Sequence, residues 1–100
     1  MMPLELMTAP QISAMVAERV RRRRLDRAWT QQALADRAGM SLSSLRRFER
    51  TGQVSFLSLV RLALALDAVD ALAELFPERP QSLDEVLERP RRKRGRRSRG

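Results

Sequence analysis

The sequence predicts an all-α domain of five helices, and three observations support this prediction. Apolar residues recur at intervals of three or four, which is the spacing of one face of an α-helix. The apolar residues are mainly leucine, alanine and valine, with three phenylalanines and one tryptophan, a mixture that favours helices. Residues of the kind that cap helix N-termini precede three of the apolar segments: Thr30, Ser41 and Ser55.

The first helix is predicted over residues 11–27. Its apolar positions are four residues apart: Ile12, Val16 and Val20. The same step leads to Arg24, so a charged side chain falls on the face that we expect to be buried. A buried charge requires an ion partner or hydrogen bonds, and we therefore expect Arg24 to have one.

Two short helices separated by a glycine follow. The first of the pair is predicted over residues 31–38, after its N-cap Thr30. Gly39 comes next and fits the left-handed conformation that commonly ends a helix. The second of the pair is predicted over residues 42–50, with Ser41 as its N-cap.

The helix over residues 42–50 has two different faces. Leu45 and Phe48 are three residues apart and are expected to point into the core. The other faces carry small polar and basic residues: Ser43, Arg46, Arg47 and Arg50. A helix that is supported along one side and carries such groups along its free side suits the major groove of DNA.

A fourth helix is predicted over residues 56–66 and a fifth over residues 69–75. The fourth is apolar on nearly every side, which suggests a second buried contact that another subunit could supply. The fifth would present Val69, Leu72, Ala73 and Phe76. Trp29, which lies before the second helix, is expected to fill a place in the core rather than to stack on a base.

The ends of the chain differ in character from this helical domain, which we place at residues 11–76. Residues 1–10 contain two prolines and are predicted to form a loose arm. Residues 77–90 contain three prolines and a capping-box pattern, which predict a short helix over residues 83–88. Residues 91–100 have no apolar residue, and we expect them to be disordered when unbound.

The formal charge is +8, but its distribution is more informative than its sum. Seven of the 20 basic residues lie in residues 91–100, which leaves 13 basic residues against 12 acidic ones in the remainder. Clustered positive charge on a nearly neutral domain, together with a basic tail, points to a polyanionic partner. Solubility alone is the other interpretation of such a tail.

The composition argues against enzymes and membrane proteins. Histidine and cysteine are absent, which removes the commonest general base and the usual zinc ligands. No glycine-rich phosphate loop is present, and neither a metal nor a cofactor is predicted. No apolar run approaches the roughly 20 residues that span a bilayer, and the N-terminus lacks the pattern of a secretory signal. We therefore expect a cytoplasmic protein that is not an enzyme.

The segment from Thr30 to Gly52 resembles the helix-turn-helix of the Xre family of regulators, the Cro and repressor class. The matching residues are Gln31, Leu34 and Ala35, Ala38 to Met40, Ser41 and Glu49. The resemblance implies a five-helix domain that binds double-stranded DNA. It also implies a transcriptional regulator associated with the nucleoid, most simply a dimeric repressor that reads an inverted repeat.

The resemblance also implies a role for each site residue. Gln31 would hold a phosphate. The residues expected to face base edges or the adjoining backbone are Ser41, Leu42, Ser43, Arg46 and Arg47. Arg50 would lie toward the phosphates. Arg24 would form a structural ion pair with Glu49, in agreement with the expectation drawn from the buried face.

Two departures from the family pattern affect these expectations. Leu42 stands where the family often has a polar residue, so it could contact a thymine methyl group or simply pack. The connection after Glu49 also differs from the family pattern, and Thr51 and Gln53 are the candidate phosphate contacts in it.

A narrower resemblance gives a second hypothesis. Four features are similar to those of HipB-like antitoxins, which repress their own operon and neutralise a HipA-type kinase toxin: the segment SLRRFERTG at residues 44–52, the leucine-rich fourth helix, the LFP at residues 75–77 and the basic C-terminal tail. A kinase-like reading frame beside the gene would favour this toxin–antitoxin hypothesis.

Overall fold

The computed structural model describes residues 2–78, and the regular secondary structure among them is helical. Four α-helices follow one another: α1 (Ala9–Asp26), α2 (Gln31–Ala38), α3 (Leu42–Thr51) and α4 (Phe56–Ala65). A short 3₁₀ turn (Leu4–Leu6) precedes α1, and a 3₁₀ helix (Val69–Glu74) follows α4. The prediction of an all-α fold with five helices is confirmed, and the fifth helix is of the 3₁₀ type.

Helix α1 begins two residues earlier than the sequence predicted. Thr8 forms a capping box with Gln11: its hydroxyl accepts from the Gln11 N–H, and the Gln11 side chain accepts from the Thr8 N–H. Pro10 lies in the first turn, where a backbone N–H has no acceptor within the helix, so the missing donor costs nothing there. The prediction that Pro10 disfavours helix at this position is wrong.

The turn between α2 and α3 is built as a helix-turn-helix requires. Thr30 and Ser41 cap the two helices through their hydroxyl groups. Gly39 has φ +68°, and the Met40 N–H donates to the Ala35 carbonyl at 3.0 Å, which closes the end of α2. The tight turn holds α3 at a fixed angle to α2.

The core lies among the four α-helices: α1 and α2 pack against α3, and α4 packs against α2. Leu45 and Phe48 of α3 are fully buried at its centre, as their spacing predicted. The other buried residues come from the surrounding helices: Ala17, Val20, Leu34, Ala35, Ala38, Leu62 and Leu66. One whole side of α3 is therefore used for packing, and its orientation follows from the core.

The junction between α1 and α2 contains Trp29, which packs half-buried against the core. The guanidinium carbon of Arg37 lies 4.3 Å from the centre of its ring, which is a cation–π contact. Arg27 lies on the same ring at 5.6 Å and donates to the Leu66 carbonyl at 2.7 Å. Arg27 thus connects the end of α1 to the end of α4.

The segment after α4 partly buries only one of the four apolar side chains that the sequence predicts for one face of the fifth helix. Leu72 is half-buried, whereas Val69, Ala73 and Phe76 are exposed, Phe76 to 94%. Asp67 turns the chain with φ +55° directly after α4. With three residues per turn, the 3₁₀ helix that follows places Ala73 off the face that Val69 and Leu72 share.

The C-terminal predictions lie outside the described residues. They comprise the helix over residues 83–88 and the basic tail over residues 91–100.

Candidate nucleic-acid interface

The free side of α3 carries the basic residues that the sequence assigned to it. Arg46, Arg47 and Arg50 are exposed, and Leu45 and Phe48 on the opposite side are buried. Because the buried pair fixes the rotation of α3 about its own axis, the three guanidinium groups face outward.

The N-terminal tip of α3 is formed by hydroxyl groups. The Ser41 hydroxyl accepts from the Ser44 N–H at 3.1 Å and lies 2.8 Å from the Ser44 hydroxyl and 3.3 Å from that of Ser43. Ser41 and Ser43 are exposed, whereas Leu42 is half-buried. The tip therefore presents small donors and acceptors, and Leu42 lies partly against the domain.

Arg24 and Glu49 form a buried ion pair. The Arg24 Nε and Nη2 atoms donate to the two carboxylate oxygens of Glu49 at 2.8 and 3.0 Å, a two-pronged geometry. The exposed fractions of the two side chains are 9% and 5%. Arg24 Nη1 also donates to the Trp29 carbonyl at 2.8 Å, so the guanidinium joins α1, α3 and the junction before α2.

Gln31 extends this pair to the surface. Its side-chain nitrogen donates to Glu49 Oε1 at 2.9 Å, and its side-chain oxygen accepts from Arg46 Nε at 3.4 Å. A carboxylate only accepts and a guanidinium only donates, so these neighbours define the orientation of the Gln31 amide. The side-chain oxygen of Gln31 therefore faces Arg46, and its nitrogen keeps one further N–H.

Arg47 has a different partner. Its Nη2 donates to Gln53 Oε1 in the loop between α3 and α4. The Thr51 hydroxyl donates to the Arg47 carbonyl at 2.7 Å and accepts from the Gln53 N–H at 3.1 Å. Arg46 and Arg47 are thus adjacent in sequence but contact different elements, Arg46 the start of α2 and Arg47 the loop between α3 and α4.

The sequence did not reveal these two links. Arg46 contacts Gln31 on another helix, and Arg47 contacts Gln53 beyond the end of its own helix, so neither pair has the three- or four-residue spacing of neighbours on one helix face. The departure of the 51–55 connection from the family pattern was the one available signal that this loop has a role of its own.

The fold and this surface define a DNA-binding helix-turn-helix domain, in which a supported helix exposes polar and basic side chains. A family model described as a helix-turn-helix domain matches residues 16–78, which is more than half of the chain. The chain belongs to this helix-turn-helix family. A comparison with curated proteins gave no match. Among residues 2–78, the helices are too short or too polar to cross a membrane.

Proposed function

We propose that this protein is a sequence-specific transcriptional regulator of the Xre class that acts as a homodimeric repressor, with α3 in the major groove of DNA. The observation that supports this proposal is the contrast between the two sides of α3. Leu45 and Phe48 secure one side in the core, and three arginines are exposed on the other. The major groove is about 12 Å wide and an α-helix with its side chains about 10–12 Å, so α3 fits lengthwise or by its tip.

The side chains of α3 divide into base-reading and backbone-holding groups. Ser41 and Ser43 at the tip and Arg47 one turn later reach base edges, and an arginine can bind guanine through two parallel N–H groups. Arg50 in the last turn lies toward the phosphates, which positions the domain without reading sequence.

The N-terminus of α2 supplies a further backbone contact. Thr30 caps this helix by accepting from the Ala33 N–H, and the backbone N–H of Gln31 is in the first turn, where helices bind anions. The Gln31 oxygen faces Arg46, so Arg46 and the remaining Gln31 N–H together offer donors to one phosphate. This adds a charged donor to the phosphate contact expected from Gln31.

A homodimer is supported by the apolar surface of α4 and the segment after it. Six large apolar side chains there are between 38% and 94% exposed: Phe56, Leu57, Leu64, Val69, Leu75 and Phe76. A contiguous exposed apolar patch marks a contact surface, and we propose that these side chains form one. A two-fold dimer presents two copies of α3 to half-sites one DNA turn apart, about 34 Å, and so reads an inverted repeat.

Selection of bound fragments from random duplex DNA at physiological salt tests the proposal. The expected product is an inverted repeat with half-sites about 10 base pairs apart. Arg46→Ala/Arg47→Ala should abolish binding to the selected site while the far-UV circular dichroism and Tm stay unchanged.

The matched control removes the same charge from α1. Arg21 and Arg22 are exposed and contact Glu18 at 3.5 and 3.6 Å, so Arg21→Ala/Arg22→Ala takes two positive charges from a face without α3. Retained binding in this control, with loss in the α3 variant, supports the reading face. Equal loss in both variants, or selection of no sequence, refutes it.

The antitoxin hypothesis assigns the contact with the toxin to residues 83–87 and the basic tail, which lie outside the described residues. It therefore stays a prediction from the sequence. The DNA-binding proposal holds whether or not a toxin partner exists.

A further inference from the structure

Gln53 belongs to a loop whose backbone is fixed on both sides. Gly52 before it adopts φ +82°, and a Cβ at that position would lie 2.9 Å from the Ser13 backbone, so the loop is pressed onto α1. Val54 after it packs against the core, and Ser55 caps α4 by accepting from the Ser58 N–H at 3.0 Å. The Gln53 side chain therefore starts from a defined place.

Gln53 is joined to Arg47 in two ways. The side chains are linked directly, because Arg47 Nη2 donates to Gln53 Oε1. The backbones are linked through the Thr51 hydroxyl, which donates to the Arg47 carbonyl and accepts from the Gln53 N–H. The Thr51 hydroxyl therefore fixes the distance between the backbones of Arg47 and Gln53, independently of the bond between their side chains.

The link to Gln53 leaves Arg47 able to read a base. A guanidinium has five N–H groups, and two of its edges each present a parallel pair of them. Nη2 contributes one hydrogen to each edge, so a single hydrogen bond from Nη2 leaves the other edge complete. Arg47 can thus keep its bond to Gln53 and still bind guanine through two N–H groups.

We infer that Gln53 is a positioning residue that holds Arg47 in the orientation used to read a base. The α3–α4 loop then takes part in setting sequence specificity without contacting DNA itself. This inference rests on the proposed function. Its physical basis is preorganisation. An arginine side chain has many rotamers and loses conformational entropy when it binds a base, and this loss is smaller if Gln53 already restricts the rotamers in the free protein.

A double-mutant cycle on the selected DNA site tests the inference. Gln53→Ala should weaken specific binding about three- to tenfold, which is the net contribution of one typical hydrogen bond. In an Arg47→Ala background the same change should have an effect below about twofold, because Gln53 acts through Arg47. Gln32→Ala is the matched control, since Gln32 is an exposed glutamine that bonds Asp36 instead.

The pattern of lost sequence preference separates positioning from a direct contact. Gln53→Ala should relax the preference at the same base pair of each half-site that Arg47→Ala relaxes. The inference is overturned if the losses of affinity in Gln53→Ala and Arg47→Ala multiply in the double variant and Gln53→Ala weakens binding equally to all sequences. That result would show that Gln53 holds a phosphate itself.

A measurement without DNA keeps the inference testable if no site is selected. Relaxation of the Arg47 Nε–H in ¹⁵N NMR reports how far the side chain is held in the free protein. Gln53→Ala should make this group more mobile and leave the Arg46 Nε–H, which contacts Gln31, unchanged. Equal Arg47 mobility in both proteins would refute the positioning role, whereas failure of the DNA selection alone would refute only the proposed function.

Discussion

Replacement of Gly52 by alanine should destabilise the domain more than the same change at Gly39. Both glycines have positive φ, +82° and +68°, so an alanine at either position bears a strain of about 1–2 kcal/mol. Against this, alanine reduces the entropy of the unfolded chain, which returns about 0.4–1 kcal/mol. A Cβ at Gly39 would have nothing within 4 Å, so no steric cost is added there, and Gly39→Ala should lower the free energy of unfolding by about 1 kcal/mol.

Gly52 has a second cost because α1 lies against it. A Cβ at Gly52 would be 2.9 Å from two atoms of Ser13 and 3.1 Å from the Ala14 nitrogen. Two of these three atoms are backbone of a long helix and cannot rotate away, so α1 or the loop must shift. Overpacking of this kind costs about 1–3 kcal/mol, which brings the expected total for Gly52→Ala to about 3 kcal/mol.

Thermal and urea denaturation of the two variants measure this difference. A loss of 1 kcal/mol lowers the Tm of a domain of this size by about 4–8 °C, so the variants should differ by about 8–16 °C. If Gly52→Ala were no less stable than Gly39→Ala, the contact between the loop and α1 would contribute nothing, and our argument for a fixed Gln53 backbone would fail with it.

Three further predictions concern stability and assembly. Glu49→Ala should lower the free energy of unfolding by about 3–5 kcal/mol in urea because it leaves Arg24 buried without its carboxylate, and replacing both residues by apolar ones should recover part of that loss. Ala28→Gly should raise the Tm by a few degrees, since Ala28 is exposed with φ +57°, and an unchanged or lower Tm would contradict the strain. Leu57→Glu/Leu64→Glu should give folded monomers in sedimentation equilibrium, because both side chains are about 60% exposed in the single chain; a persistent dimer would place the interface elsewhere.

The fold was predictable because the apolar spacing and the capping residues agree along most of the chain. Thr30, Ser41 and Ser55 cap the helices that the sequence predicted for them. The start of α1 could not be predicted from the usual helix-breaking effect of proline, because the first turn of a helix accepts Pro10 and Thr8 supplies the cap. The 3₁₀ form of the last helix depends on how the chain turns at Asp67, which spacing alone does not define.

Only those features of the candidate site that depend on the position of a residue along a single helix were predictable from the sequence. The periodicity of α3 places its arginines opposite Leu45 and Phe48, and the step along α1 places Arg24 on the buried side, where it meets Glu49. The partners of Arg46 and Arg47 come from other parts of the chain. Their identity depends on how α2 and the α3–α4 loop sit beside α3, which is decided by tertiary packing.

Because the carboxylate of Glu49 is buried, α3 contains one position that cannot change freely beside exposed positions that can. It belongs to α3, accepts from Arg24 of α1 and from Gln31 of α2, and thus ties three helices together from within. Replacements at Arg47 or Ser43 leave that junction intact, so under the proposed function these positions can change the target sequence while the domain stays folded. A change at position 49 would break the junction, so we expect Glu49 to be kept while exposed residues of α3 change.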